Sequence, residues 1–121
     1  MSTDAIAELE LMLRSRSAEL TAPRSDECLL CFVARMLNSF GCDNTLRWAV
    51  HYRDVRAPRA TGLETRLGQM GGYCDCEIFL NGYAHVLAGD DEVVPARIPP
   101  CAGVERLSTK PCSQWQRLQQ W

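Results

Sequence analysis

Apolar residues recur at helical spacing through the first two thirds of the chain and then lose any period. Residues 2–20 carry Ile6, Leu9, Leu13 and Leu20 three to seven positions apart, with Ser2 or Thr3 available as a cap and Asp4 suited to the positive end of the dipole. That spacing predicts an amphipathic helix that packs on the rest of the fold. Pro23 marks its end, and Asp26 offers the cap of a second helix over about 27–39. Leu29, Leu30, Phe32, Val33, Met36, Leu37 and Phe40 leave little of that helix polar, so it is expected at the centre of the core. Gly41 follows as a left-handed stop.

A third helix is expected over about 45–55, capped by Asp43 or Thr45, with Leu46, Trp48, Ala49, Val50 and Tyr52 on one side. A fourth is expected over about 58–69, with Pro58 in its first turn and Leu63 and Leu67 four apart. Gly71-Gly72 stops it. Ile78-Phe79-Leu80 is a short apolar run that periodicity leaves open between a strand and a helical turn. From about residue 88 the chain turns acidic and then proline-rich, with Gly89-Asp90-Asp91-Glu92 followed by Pro95, Pro99, Pro100 and Pro111. The reading is an irregular arm over about 88–110, with Trp115, Leu118 and Trp121 in a short terminal helix or tail that docks back. The expected fold is mostly α, four to five helices with a metal-binding turn; one short β element at 78–80 would make it α+β. Residues 1–25 form the N-terminal helix, 26–87 a Cys-rich domain and 88–121 the arm.

Composition narrows the functional classes. The chain has 121 residues, 46% of them hydrophobic, and a net charge of −2, which argues against a general affinity for DNA or membrane. No apolar run approaches the length of a membrane span, and the polar start Met1-Ser2-Thr3-Asp4 is unlike a signal peptide, so the expectation is a cytoplasmic protein. Seven cysteines are many for a reducing compartment, where thiolate metal ligation is the leading alternative to disulfides.

Gly71-Gly72-Tyr73-Cys74-Asp75-Cys76-Glu77 is the densest of the cysteine motifs. A Cys-x-Cys pair on a sharp turn supplies two of the four thiolate or imidazole ligands that a structural Zn2+ takes, and the glycines would let the backbone approach the ion. Cys28-Leu29-Leu30-Cys31 is a Cys-x-x-Cys at a helix start, and Cys42 stands at the far end of that helix. An unbroken helix places Cys31 and Cys42 about 16 Å apart at roughly 1.5 Å per residue, so the two cannot share an ion. Two zinc schemes follow. One uses Cys28, Cys31, Cys74 and Cys76; the other uses Cys42, Cys74 and Cys76 with Glu77, Asp43, His51 or His85. Cys101 and Cys112, in the proline-rich stretch, are expected to ligate nothing.

Cys42-Asp43-Asn44-Thr45-Leu46-Arg47, followed by Gly71 to Glu77 and Ile78-Phe79-Leu80-Asn81, resembles a small bacterial family known mainly as a domain of unknown function. Cys28 to Phe40 and Arg53 to Thr61 are similar to its longer actinobacterial form, and the likeness spans about residues 26–85. The resemblance implies a zinc-responsive protein, connected with recruitment of a ribosome hibernation factor under zinc starvation. It also implies that Gly71 to Glu77 is the zinc element. Since shorter relatives lack the Cys-x-x-Cys, it favours Cys42 beside Cys74 and Cys76. Asn44 stands where some relatives carry His, which removes one ligand.

Two other chemistries compete. Cys28 and Cys31 form a candidate redox dithiol of a thiol-disulfide oxidoreductase, although no βαβ pattern precedes them and Leu29-Leu30 suggests burial. Arg47, Arg53, Arg56, Arg59 and Arg66, near Trp48 and Tyr52, form a candidate RNA face, for which a solvated helix face is the plainer reading. No arrangement of Ser, His and Asp and no phosphate loop points to an enzyme. A protein partner is the expectation.

Overall fold

The computed structural model describes residues 3–87, 98–104 and 107–118. Among these the protein is mostly helical, with five α-helices, one π-helical turn and a two-stranded sheet: α1 Thr3–Leu20, α2 Leu29–Phe40, α3 Arg47–Arg56, α4 Leu63–Gln69, α5 Asp75–Glu77, the π turn Ile78–Gly82, β1 Tyr83–His85 and β2 Trp115–Arg117.

Helix α2 is the centre, as its nearly all-apolar surface requires. Leu29, Leu30, Phe32, Val33, Ala34 and Met36 are all buried, and α3 lies across it with Trp48, Ala49 and Tyr52 turned inward. The Phe32 ring meets Tyr52 at 5.7 Å and the edge of Trp48 at 6.4 Å between centroids, the offset geometries that aromatic quadrupoles favour. Leu63 and Leu67 of α4, then Ile78 and Phe79, complete the core.

The helix starts differ from expectation. Asp26 sits at φ +61° outside α2, whose cap is Cys28; its Sγ accepts the Cys31 N–H at 3.3 Å. Asp43 bonds the Thr45 backbone and hydroxyl instead of capping α3. Helix α4 begins at Leu63, because residues 58–62 form turns after Pro58. Gly41 does take a positive φ, +79°, and its N–H closes α2 on the Leu37 carbonyl at 2.9 Å.

Two larger expectations are corrected. Helix α1 forms over its expected span but does not pack on the body: its described side chains, residues 5–20, are exposed throughout. Trp115 lies in a strand packed on the core, which fits the docked-tail alternative and not the terminal helix, in an antiparallel pair that sets His85 opposite Trp115 and Tyr83 opposite Arg117. Trp121 and the acidic run at 89–92 lie outside the described residues. The described part of the arm is irregular but packed, with Ile98, Cys101, Val104, Cys112 and Trp115 on the core.

Candidate metal centre

The four sulfurs of Cys28, Cys31, Cys101 and Cys112 all lie within 4.8 Å of one another. A tetrahedral site with Zn–S near 2.3 Å has S···S edges of about 3.8 Å, and Cys31 Sγ stands 3.7 Å from Cys112 Sγ. Cys28, Cys31 and Cys112 are buried and Cys101 half-buried. The set can therefore hold a metal ion, and it is soft, closed and complete in ligand number.

Local structure explains why these sulfurs converge. Cys28 is the N-cap of α2 and Cys31 lies in its first turn three residues on, so both sulfurs stand at the end where the helix dipole favours negative charge. The opposing pair comes from the irregular segment, which crosses the start of α2. N–H groups surround the sulfurs as they surround thiolates: Cys31 N–H to Cys28 at 3.3 Å, Cys28 N–H to Cys101 at 3.2 Å, Gly103 N–H to Cys101 at 3.4 Å, and the Trp115 indole to Cys31 at 3.3 Å. Such outer donors orient ligands and lower the cost of gathering thiolates.

Ionisation follows the same geometry. The Cys28 thiol is lowered to about 5, chiefly by its hydrogen bond with Cys31, and the Cys31 thiol is pushed far up, chiefly by the same partner and then by burial. The Cys31 thiol thus holds its proton beside the Cys28 sulfur, and a divalent ion among the sulfurs would favour the ionised ligands. Burial raises the Cys101 thiol as well.

Cys74 and Cys76 do not join Cys28 and Cys31, so the expected four-thiol combination is not assembled. They face Cys42 instead. The Cys42 thiol is lowered: burial opposes this, but the Cys76 and Asn44 backbone N–H groups outweigh it, the Asn44 bond being 3.4 Å. Burial raises Cys74, which meets Glu77, and pushes Cys76 up to about 12 with the Cys42 thiol adding to the effect. Cys42 and Cys76 are half-buried, so this trio is more open than the tetrad.

Both histidines offered as further ligands make hydrogen bonds elsewhere. His51 Nε2 bonds the Thr21 carbonyl at 3.0 Å, while His85 bonds Gln114 through Nε2 and accepts the Leu87 N–H at Nδ1. The Gly-Gly pair also serves packing. Gly71 has φ +85°, as the turn needs, but a Cβ on Gly72 would stand 3.1 Å from the Leu67 carbonyl and 3.2 Å from Ile78. Its close approach is to helix α4 and the π turn.

Cys101 and Cys112, expected to ligate nothing, stand in the four-sulfur group that can hold a metal ion. Proline-rich composition suggested a detached arm, yet prolines also suit a segment crossing a surface without helix or ladder. A usable signal was arithmetic: once Cys42, Cys74 and Cys76 are grouped, four of the seven cysteines remain.

Of the candidate arginines, Arg47, Arg53, Arg56 and Arg66 make contacts within the chain, and Arg59 is exposed. Arg53 pairs with Glu64 at 2.8 Å and Asp54 at 3.3 Å, and Arg56 donates to the Pro23 and Arg24 carbonyls. Arg47 lies over the Trp48 ring, and Trp48 and Tyr52 are each 2% exposed, which removes both rings as stacking platforms for bases.

Residues 29–81 match the family described as "Protein of unknown function (DUF2695)". The chain is 39% identical over 72 residues to uncharacterized proteins of Mycobacterium bovis and of two strains of Mycobacterium tuberculosis, covering 55% of this chain and 69% of each relative. No solved structure matches. No helix among the described residues is long and apolar enough to cross a membrane.

Proposed function

Because the chain belongs to this family of proteins of unknown function, we propose that it is a non-catalytic, zinc-binding regulatory or adaptor protein of the cytoplasm. In this reading it reports zinc status to a protein partner, a ribosome hibernation factor. The observation that carries the metal is the convergence of four sulfurs from segments some seventy residues apart. The resemblance of Cys42 to Arg47 and Gly71 to Asn81 to zinc-responsive proteins supports the partner.

The two cysteine groups have different tasks. Four largely buried thiolates make a closed structural site, filled whenever the protein is folded. Cys42, Cys74 and Cys76, with Glu77 at the edge, make an open site with fewer thiolates, from which the ion exchanges as supply falls. An ion bound only by the folded protein stabilises it by RT ln(1 + [L]/Kd), about 4 kcal/mol at a thousandfold excess over Kd. Loss of the open-site ion loosens the turn between α4 and α5, and the partner reads that turn.

Burial of Cys28 and Cys31 argues against thiol-disulfide exchange, which requires an accessible thiolate. Metal analysis of the purified chain tests the reading. Two zinc ions per wild-type chain are expected, one lost in Cys101→Ser and the other in Cys42→Ser. A metal-free protein with a reversible dithiol couple would overturn it.

A further inference from the structure

Helix α1 is eighteen residues long and stands away from the body. Ile6, Leu9, Leu13 and Leu20 are 47%, 52%, 61% and 53% exposed. Its anchorage is at its C-terminal end, where His51 Nε2 meets the Thr21 carbonyl. Most helical stability in proteins comes from packing an apolar face, and α1 buries none of its described side chains. What covers α1 must therefore come from outside the described body of the chain.

At 100° per residue, Ile6, Leu9, Leu13 and Leu20 fall within an arc of about 60°, the narrow seam of a two-helix contact. Arg16 lies at the border of that seam. In a parallel pair it would meet its own copy, placing like charges together at the contact. An antiparallel pair centred on Leu13 removes the conflict: Ile6 comes level with Leu20 of the second copy, and Arg16 level with its Glu10. The first half of the helix carries Asp4, Glu8 and Glu10 and the second Arg14 and Arg16 with Glu19, a net negative half and a net positive one that complement each other only when reversed. The opposed helix dipoles act in the same sense. Asp4, Glu8, Glu10 and Glu19 outnumber the two arginines, which disfavours an anionic lipid surface as the occupant.

We infer that α1 is a dimerisation helix, pairing antiparallel with α1 of a second copy of this chain through Ile6, Leu9, Leu13 and Leu20. The inference is independent of the metal reading and holds with either cysteine group filled.

Light scattering coupled to size exclusion, on the full metal-loaded chain at about 100 μM, tests it. The wild type is expected at twice the 13.6 kDa chain mass. Leu9→Glu with Leu13→Glu should return the mass to one chain and lose the helical ellipticity of α1, while near-ultraviolet signals from the buried Trp48 persist. Leu11→Glu, on the opposite face, should leave the dimer intact. Arg16→Glu should weaken association about tenfold, and adding Glu10→Arg should restore it. A single-chain mass for the wild type would overturn the inference, whether α1 then meets a different protein or none. So would a dimer that survives the double Leu substitution, or charge reversal without rescue.

Discussion

The carboxylate of Asp75 accepts the backbone N–H of Trp48 at 2.9 Å, and its second oxygen takes the N–H of Ala49 at 3.1 Å. Asp75 is fully buried, and α3 has no side-chain cap of its own. The residue between the two signature thiols is thus the remote N-cap of a helix twenty-seven positions earlier. The Asp75 N–H adds a bond to the Thr45 carbonyl at 3.1 Å, so the Cys-x-Cys turn is tied to the start of α3 twice over.

Substituting Asp75→Ala should therefore unfold the protein more easily without touching a sulfur. It leaves two buried N–H groups unpaired, a loss of about 2 kcal/mol or more. Asp75→Asn, which keeps one acceptor, should lose less. Urea denaturation of the metal-loaded protein followed by circular dichroism measures both.

Metal removal should act first on the C-terminal segment. Cys101 and Cys112 supply half of the four-sulfur group, and β2 follows directly after Cys112. Trp115 packs on Phe79 at 5.0 Å and on His85 at 4.9 Å between ring centroids. A strong chelator should expose Trp115, shift its fluorescence to the red and open residues 98–118 to protease while α2 stays protected. Cys112→Ser should show the same changes without chelator; Trp115→Phe should abolish the fluorescence shift. Unchanged proteolysis after complete metal removal would show that packing alone holds the segment.

Gly71→Ala should be costly for two reasons at one position. Its φ of +85° disfavours any side chain, and the new Cβ would stand 3.1 Å from that of Asn81, whose amide donates to the Gly71 carbonyl at 2.9 Å. A loss of about 1–2 kcal/mol is expected in thermal or urea unfolding, with metal content unchanged.

Tyr52 predicts an alkaline limit. Its hydroxyl donates to the Glu27 carbonyl at 2.7 Å, and burial pushes its phenol up to about 12 from the usual 10. The folded state holds this proton more tightly than the unfolded chain. Tyr52 therefore contributes stability that is fully present below pH 10 and is lost as pH rises towards 12. Tyr52→Phe should lower neutral stability by about 1 kcal/mol and flatten the decline above pH 10. Stability measured from pH 8 to 11.5 tests it; an equally steep decline in the variant would assign the effect to other groups.

Local pattern carried the helical architecture, because an amphipathic period and a helix stop are properties of a few neighbouring residues. It placed α1, α2 and α3 within two residues of their observed limits, set α2 at the centre and brought Cys28 and Cys31 to one face. Gly41 was legible for the same reason, and family resemblance placed Cys42 beside Cys74 and Cys76. Cys101 and Cys112 were not legible, since nothing local to a proline-rich stretch tells whether it leaves the body or crosses the start of α2. Nor was the role of Asp75, which reads as part of a ligand motif until the start of α3 is seen to need an acceptor.

The sequence alone determined where helices form and that thiols are abundant, since both follow from composition and spacing. Tertiary structure decided which sulfurs meet, which carboxylate caps which helix and which apolar face goes uncovered. Those depend on how distant segments return to one another in space, a distance that spacing along the chain does not encode.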